Sequence, residues 1–171
     1  MNYQKLFLAA ILIISSTIIG CQPADTQKAE HNKEVFKKSV DAINDRNWDA
    51  LDDLIAPDYK RYCQATPDVE VNSIDDFKLF LTQDAATFPD SRISIDRVVA
   101  EGDLLGFYCT YVGTQEGQMG PYPPSHKQMT LEFAGVHRFE NGVIAETWLT
   151  WDNLAALIQL GHYPPPSLDV D

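Results

Sequence analysis

Apolar residues recur at helical spacing in three segments of the first half of the chain. They lie on one predicted helix face in residues 35–43 and again in residues 48–55, and Pro57 ends the second helix. The third helix follows Ser73, because Ser73 and Asp76 have the spacing of a capping box in front of an apolar stripe. The first half of the chain is therefore predicted to be helical.

Apolar and polar residues alternate in the second half, which predicts four strands. These strands cover residues 93–99, 104–112, 127–139 and 143–151, and the two-residue turn Asn141-Gly142 joins the last two as a hairpin. A short helix follows, capped by its first polar residue and stopped by a glycine. Helices first and a strand meander afterwards predict an α+β fold, with helices packed on one face of a curved antiparallel sheet.

The amino-terminal segment has the pattern of an export signal. Lys5 precedes an apolar run in residues 6–19, and the run ends at Gly20-Cys21. This junction resembles the bacterial lipobox, where the signal peptide is cut before a cysteine that becomes lipidated. A membrane anchor and an ordinary cleaved signal are the alternatives. The apolar run is short for an anchor, because a spanning helix needs about 20 apolar residues.

If the Gly20-Cys21 junction is a lipobox, the chain divides into four parts. Residues 1–20 are the predicted signal peptide, residues 21–32 a flexible polar tether, residues 33–162 the domain, and residues 163–171 a proline-rich tail. The predicted location is the bacterial cell envelope, with lipidated Cys21 in the membrane. Gln22 is not the aspartate that favours inner-membrane retention in similar lipoproteins, so the outer membrane, facing the periplasm, is expected.

Charge and cysteine content narrow the possible partners. The 171 residues include 13 basic and 25 acidic side chains, a formal net charge of −12. Nucleic acid is not an expected partner, because an acidic surface repels phosphates. Cys63 and Cys109 could form a disulfide outside the cytoplasm, and the sequence leaves that pairing open. The four histidines lack metal-ligand spacing, so no metal site is predicted.

The predicted hairpin collects polar groups on an apolar sheet face. A tight turn would pair His137 with Glu146 and Gly135 with Trp148, and it would bring Asp152 to the end of the same face. The face would also carry Phe133 and Phe139, which completes the pattern of a small-molecule pocket. Two purely structural interpretations remain open. His137 and Glu146 could serve only as a cross-strand pair, and Asp152 could serve only as a helix cap.

The carboxy-terminal pattern resembles that of the SnoaL-like polyketide cyclases, or ester cyclases. The sequences at residues 146–148, 151–152 and 159–161 carry this resemblance, with the His-Arg-Phe at residues 137–139 and a Phe-Pro-Asp further upstream. The resemblance runs from about residue 33 to 161. It implies the cone-shaped α+β fold of the nuclear transport factor 2-like superfamily.

The resemblance also implies an activity. In the family, an aspartate at the position of Asp152 acts as acid and base in an intramolecular aldol closure of an ester, with no metal or cofactor. A histidine near the position of His137 lines the same pocket and would stabilise an enolate oxygen. Tyr62 lies where relatives often carry a histidine, so it too is assigned to the pocket.

Three functional hypotheses remain open. The first is a lipid-anchored cyclase, isomerase or hydrolase that acts on a small carbonyl compound through Asp152. The second is a lipoprotein that binds a small apolar ligand without turnover. The third is an envelope protein that associates through its sheet. A homodimer is expected in any case, with Ala134, Val136 and Leu149 on the outer sheet face.

Overall fold

The computed structural model describes residues 24–163. Along the chain, the elements are α1 (Ala24–Asn44), a 3₁₀ helix (Trp48–Asp53), β1 (Ile55–Cys63), α2 (Ile74–Thr87), β2 (Arg92–Glu101), β3 (Leu104–Thr114), β4 (Gln128–Glu140), β5 (Val143–Trp151) and α3 (Asn153–Leu160). Three helices and a mainly antiparallel sheet confirm the predicted α+β class.

The sheet has five strands in the order β1-β5-β4-β3-β2. β1 pairs in parallel with β5, and the other neighbours are antiparallel. The sequence interpretation missed β1, because it assigned residues 48–55 to a helix that Pro57 ends. Proline lacks an N–H group to donate, but an edge strand tolerates it. The register of β1 is irregular between Ile55 and Lys60, around that proline.

α1 begins earlier than the predicted domain. The expected tether of residues 21–32 is wrong from Ala24 onward, because those residues are helical. Ala29 and Asn32 are buried, and the Asn32 side-chain amide donates to the carbonyl oxygen of Gly102 at 3.1 Å. This contact ties the start of the helix to the β2–β3 turn. Cys21 and the predicted signal peptide lie outside the described residues.

The predicted helix caps are confirmed. The Ser73 hydroxyl accepts from the backbone N–H of Asp76 at 3.1 Å, at the start of α2. The Asp152 carboxylate accepts from the backbone N–H of Ala155 at 2.9 Å, at the start of α3. Gly161 ends α3 with a φ of 79°, a backbone conformation that glycine adopts without steric cost.

The β4–β5 hairpin departs from the predicted register at Arg138, three residues before the Asn141-Gly142 turn. Phe139 pairs with Ile144, as a tight Asn141-Gly142 turn requires. A bulge then inserts one extra residue, so His137 pairs with Thr147 and not with Glu146. A one-residue slip moves every later side chain of β5 to the opposite face.

The bulge reassigns the residues that share a face. His137 points into the protein and is 8% exposed, whereas Trp148 lies on the outer face and is 42% exposed. Gly135 pairs with Leu149, which faces inward and not outward as expected. The prediction that His137, Glu146 and Trp148 share one face is therefore wrong.

The core lies between the inner sheet face and helices α1 and α2. A second, smaller apolar cluster packs α3 against β4. No helix within residues 24–163 is long and apolar enough to cross a membrane.

Candidate functional site

A cavity of about 730 Å³ lies between the inner sheet face and the helices. Its volume falls within the range of small-molecule sites. Most of its lining is apolar or aromatic. The polar or ionisable side chains along it include Ser39, Arg46, Tyr59, Arg61, Asp84, Tyr111, Cys109, His137 and Thr147. Polar groups in a mainly apolar cavity stabilise charge more strongly than the same groups do in water.

Asp84 is the carboxylate in this cavity. It lies in the last turns of α2, and the Tyr111 hydroxyl on β3 donates to its Oδ2 atom at 3.0 Å. Burial raises the pKa of Asp84, although the Tyr111 hydrogen bond and the charges of Arg46 and Arg61 oppose the shift. A raised pKa makes the ionised carboxylate a stronger base, and the same group can return the proton once it is protonated.

Tyr111 remains a neutral hydrogen-bond donor. Burial raises the pKa of its hydroxyl group, and the neighbouring negative charge of Asp84 adds to that effect. Tyr111 is also packed edge-on against Phe88, with ring centroids 5.9 Å apart. The phenol therefore holds the Asp84 carboxylate in one orientation without competing for its proton.

A second polar group lies deeper along the lining. The Tyr59 hydroxyl donates to Thr147 Oγ1 at 2.8 Å, and Thr147 Oγ1 lies 2.7 Å from His137 Nδ1. All three side chains are buried. If the Thr147 hydroxyl donates a hydrogen bond to His137 Nδ1, then each of the two hydroxyl hydrogens makes one hydrogen bond. The histidine then carries its own proton on Nε2.

His137 is a neutral imidazole in the folded protein. It packs against the rings of Phe36 and Phe107, with centroids 5.1 and 4.6 Å away. Burial lowers the pKa of His137 to about 3. Among residues 24–163, Nε2 has no hydrogen-bond partner, whereas Nδ1 contacts Thr147. A neutral imidazole N–H in an apolar cavity can stabilise negative charge on a substrate oxygen.

Asp152 does not line the cavity. Its side chain is exposed and caps α3, although its neighbours Trp151 and Asn153 are part of the lining. Its assignment as the acid and base, implied by the family resemblance, stays a prediction. The structure brings His137 and Phe133 together in the cavity, and it leaves Asp152 at the surface beside it.

The other predicted pocket residues lie elsewhere. Glu146 forms an ion pair with Arg138, and Trp148 stacks on Tyr62 on the outer sheet face, with ring centroids 5.4 Å apart. Phe139 is buried in the core but does not line the cavity. The bulge explains the position of Glu146 and Trp148, because the unbulged register would have turned both side chains inward.

The sequence interpretation missed Asp84 and Arg61, although the sequence pattern around each residue could have identified it. Asp84 lies seven residues after Phe77 and three after Leu81, so it continues the apolar stripe of α2. Arg61 occupies an inward position of β1, two residues after buried Tyr59. A charged residue at a position that periodicity assigns to the core is a candidate for a site, and both residues meet that description.

The two cysteines and the acidic groups do not form further sites. Cys63 and Cys109 are both free, so the disulfide left open by the sequence is absent within residues 24–163. Burial raises the pKa of the Cys109 thiol to about 12, which keeps it protonated. In the same part of the chain, no group of three or more His, Cys, Asp or Glu residues is arranged to hold a metal ion.

Comparison with known proteins agrees with the fold. The model of the family described as SnoaL-like polyketide cyclase matches residues 33–160. TsrD from Streptomyces laurentii is 25% identical, with a TM-score of 0.71 over 78% of this chain and 97% of that chain. No curated protein matches the chain.

Two further solved structures share the fold. IdmH from Streptomyces antibioticus, described as a candidate polyketide cyclase, is 24% identical with a TM-score of 0.67, over 76% of this chain and 98% of that chain. A SnoaL-like protein from Jannaschia sp. CCS1 is 20% identical with a TM-score of 0.72, over 84% of this chain and 97% of that chain. The fold is the nuclear transport factor 2-like α+β fold that the sequence predicts.

Proposed function

Because the chain belongs to the SnoaL-like polyketide cyclase family, we propose that it catalyses proton transfer at a small, largely apolar carbonyl compound held in the cavity. The supporting observation is the Asp84–Tyr111 pair, a carboxyl group with a raised pKa inside an apolar cavity. All groups needed for the proposed step belong to this chain, and no cofactor is invoked.

The proposed reaction begins at a carbon next to a carbonyl group. Asp84 accepts the proton, the C–H bond breaks, and its electron pair moves onto the carbonyl oxygen to form an enolate. The Nε2–H of His137 donates a hydrogen bond to that oxygen. In a ring closure, the enolate carbon then attacks a second carbonyl carbon, and Asp84 returns the proton to the new alkoxide. General acid–base catalysis of this kind contributes about 10²- to 10⁴-fold.

Asp152 is the competing candidate for the acid and base. The family resemblance favours Asp152, whereas burial and the cavity lining favour Asp84. Asn is nearly the same shape as Asp and also caps helices, so Asp152→Asn preserves the start of α3. The two Asn variants therefore separate the roles without a large structural change.

A deuterium exchange experiment tests this proposal. Wild-type protein is incubated in D₂O with a panel of aryl ketones and aryl keto esters, and proton NMR follows the loss of the signal from the hydrogen next to the carbonyl. We expect Asp84→Asn to slow exchange by about a hundredfold or more, and Asp152→Asn to leave it within about twofold. The reverse result would return the acid–base role to Asp152.

Binding without turnover is the second candidate function. The apolar lining alone supports it, because such a cavity would hold a small ligand even if Asp84 served only to orient it. Under this alternative, the wild-type protein would bind the aryl ketones and catalyse no exchange. Ligand binding by calorimetry, measured beside the exchange rate, decides between the two.

The cellular location of this activity is part of the same proposal. We propose that the protein is anchored in the bacterial cell envelope through lipidated Cys21, on the periplasmic side of the outer membrane. The Gly20-Cys21 junction after an apolar run supports this location.

We also propose a homodimer through the outer sheet face. Tyr62, Val136 and Trp148 are large exposed apolar side chains on neighbouring strands of that face. Trp148→Glu would place a charge in the middle of the proposed interface. We expect light scattering at micromolar concentration to give the dimer mass for wild type and the monomer mass for the variant. A wild-type monomer would contradict the proposal.

A further inference from the structure

Arg61 is a buried cation on the lining of the apolar cavity. It lies on β1, and its side chain points inward next to that of Tyr59. Only 7% of the residue is exposed. A buried charge is costly unless it is paired and hydrogen-bonded, so the partners of this guanidinium group need to be accounted for.

Its protein partners are few. A guanidinium group has five N–H donors. Within residues 24–163, the Arg61 side chain makes one hydrogen bond, to Thr66 Oγ1 at 3.5 Å, and no carboxylate lies within 4 Å of it. Arg46, the other arginine of the cavity, instead donates to Ser91 Oγ at 2.7 Å and to four backbone carbonyl oxygens. Arg46 is therefore satisfied by the fold, and Arg61 is not.

Aromatic rings hold the Arg61 guanidinium in place. Its central carbon lies 4.5 Å from the centroid of the Phe80 ring and 5.8 Å from that of Trp151. Stacking on a ring covers the flat face of the group and leaves the N–H groups at its edge free to donate. The cation is thus positioned before any ligand arrives, which lowers the entropic cost of binding.

The charges along the cavity favour an anion. The lining of the cavity contains two arginines, Arg46 and Arg61, and a single carboxyl group, that of Asp84. Cationic side chains therefore outnumber acidic ones in the cavity. Arg46 is committed to the loop that follows α2, so Arg61 is the cation available to a ligand.

We propose that Arg61 binds the carboxylate of a mainly apolar ligand, so that the cavity takes an apolar monocarboxylate in preference to its uncharged counterpart. The fork of N–H groups on arginine matches the two oxygens of a carboxylate, which gives two parallel charge-assisted hydrogen bonds. The apolar part of the ligand would fill the rest of the cavity. This inference rests on the proposed function in taking the cavity as the ligand site, and it names the class of substrate.

A competition experiment tests the preference with defined probes. The full-length chain is first loaded with N-phenyl-1-naphthylamine, an uncharged apolar dye that becomes fluorescent in apolar cavities. Decanoate or decan-1-ol, which share a ten-carbon chain and differ in charge, is then used to displace the dye. We expect wild type to bind decanoate at least tenfold more tightly than decan-1-ol.

Three variants assign that preference to Arg61. Arg61→Met removes the charge and keeps the length of the side chain, and it should lose the preference for decanoate while binding decan-1-ol within twofold of wild type. Arg61→Lys keeps the charge without the fork and should retain part of the preference. Arg97→Met is the matched control, because Arg97 is exposed and also lies near an aromatic ring, 5.9 Å from that of Tyr108. It should behave as wild type.

The other outcomes overturn the inference in distinguishable ways. Equal binding of decanoate and decan-1-ol by wild type, or an unchanged preference in Arg61→Met, would show that Arg61 does not bind a carboxylate. If a folded Arg61→Met variant loses affinity for decanoate and decan-1-ol equally, Arg61 has only a structural role. If Arg61→Met fails to fold by circular dichroism, Arg61→Lys decides: a reduced preference for decanoate with decan-1-ol binding intact supports the proposal, and an unchanged preference overturns it. Failure of wild type to bind the dye at all would count against the cavity as the ligand site, and so against the proposed function itself.

Discussion

Replacing His137 by asparagine should change how the stability of the protein depends on pH. The imidazole is enclosed by Phe36 and Phe107, and burial lowers its pKa to about 3. In the unfolded chain, a histidine titrates near its ordinary value of about 6.5. Asparagine can still reach Thr147 from the position of Nδ1, but it cannot take up a proton.

The sign of the effect follows from the lowered pKa. Between about pH 6.5 and pH 3, the unfolded chain binds a proton at His137 and the folded protein does not. The stability associated with neutral His137 is therefore present above about pH 6.5 and is lost as the pH falls toward 3. At pH 5 the loss amounts to about 2 kcal/mol relative to pH 7, and it depends only on the unfolded pKa because the folded histidine is still neutral.

Urea unfolding at a series of pH values measures this effect. The free energy of unfolding of wild type minus that of His137→Asn should fall by about 2 kcal/mol between pH 7 and pH 5. Carboxylates that titrate in the same range affect both proteins and cancel in the difference. Leu160→Ala is the control, because Leu160 is buried in the separate α3 cluster and carries no titratable group. A difference that does not vary with pH would refute the buried, neutral state of His137.

Asp84, Gly135 and Cys21 each allow a further test. Burial raises the pKa of Asp84, so the stability that this carboxyl group contributes is lost as the pH rises through its folded pKa. Asp84→Asn should therefore have a higher thermal midpoint than wild type at pH 8 and lose that advantage toward pH 4. Equal thermal midpoints at every pH would contradict this prediction. A Cβ atom on Gly135 would lie 2.5 Å from both Phe107 Cζ and the backbone oxygen of Trp148, so Gly135→Ala should lower the free energy of unfolding by about 1–3 kcal/mol, measured in urea. An unchanged value would show that β5 and the Phe107 ring can both shift to make room. Cys21→Ser should abolish incorporation of radiolabelled palmitate in cells, and labelling that persists would rule out Cys21 as the lipidated residue.

Most of the fold was predictable from short sequence motifs. The capping pair Ser73 and Asp76, the Asn141-Gly142 turn and Gly161 each depend on neighbouring residues, and all lie where the sequence indicates. β1 was missed because its apolar residues match a helix as well as a strand over a short stretch. Only its parallel partner β5, 80 residues along the chain, decides between the two.

The site was less predictable because it depends on a single extra residue and on long-range packing. The bulge before Phe139 is not visible in the hairpin sequence, and it turned Glu146 and Trp148 outward. Asp84 comes from α2 and Arg61 from β1, so their presence in one cavity follows from the tertiary arrangement. His137 lines the cavity because β4 keeps its predicted alternation, and its catalytic role stays a prediction.

The parallel pairing of β1 with β5 bears on when the chain can finish folding. β1 is synthesised before every other strand, yet its partner in the sheet is the last strand to be made. Pairing of strands far apart in sequence is slow, because the intervening loop must be closed before the contact forms. A ribosome-bound chain that ends before Val143 has no partner to offer β1, so the sheet edge stays open throughout translation. For a protein that is exported as proposed, this order of synthesis would leave the sheet incomplete if the chain crosses the membrane before β5 is made.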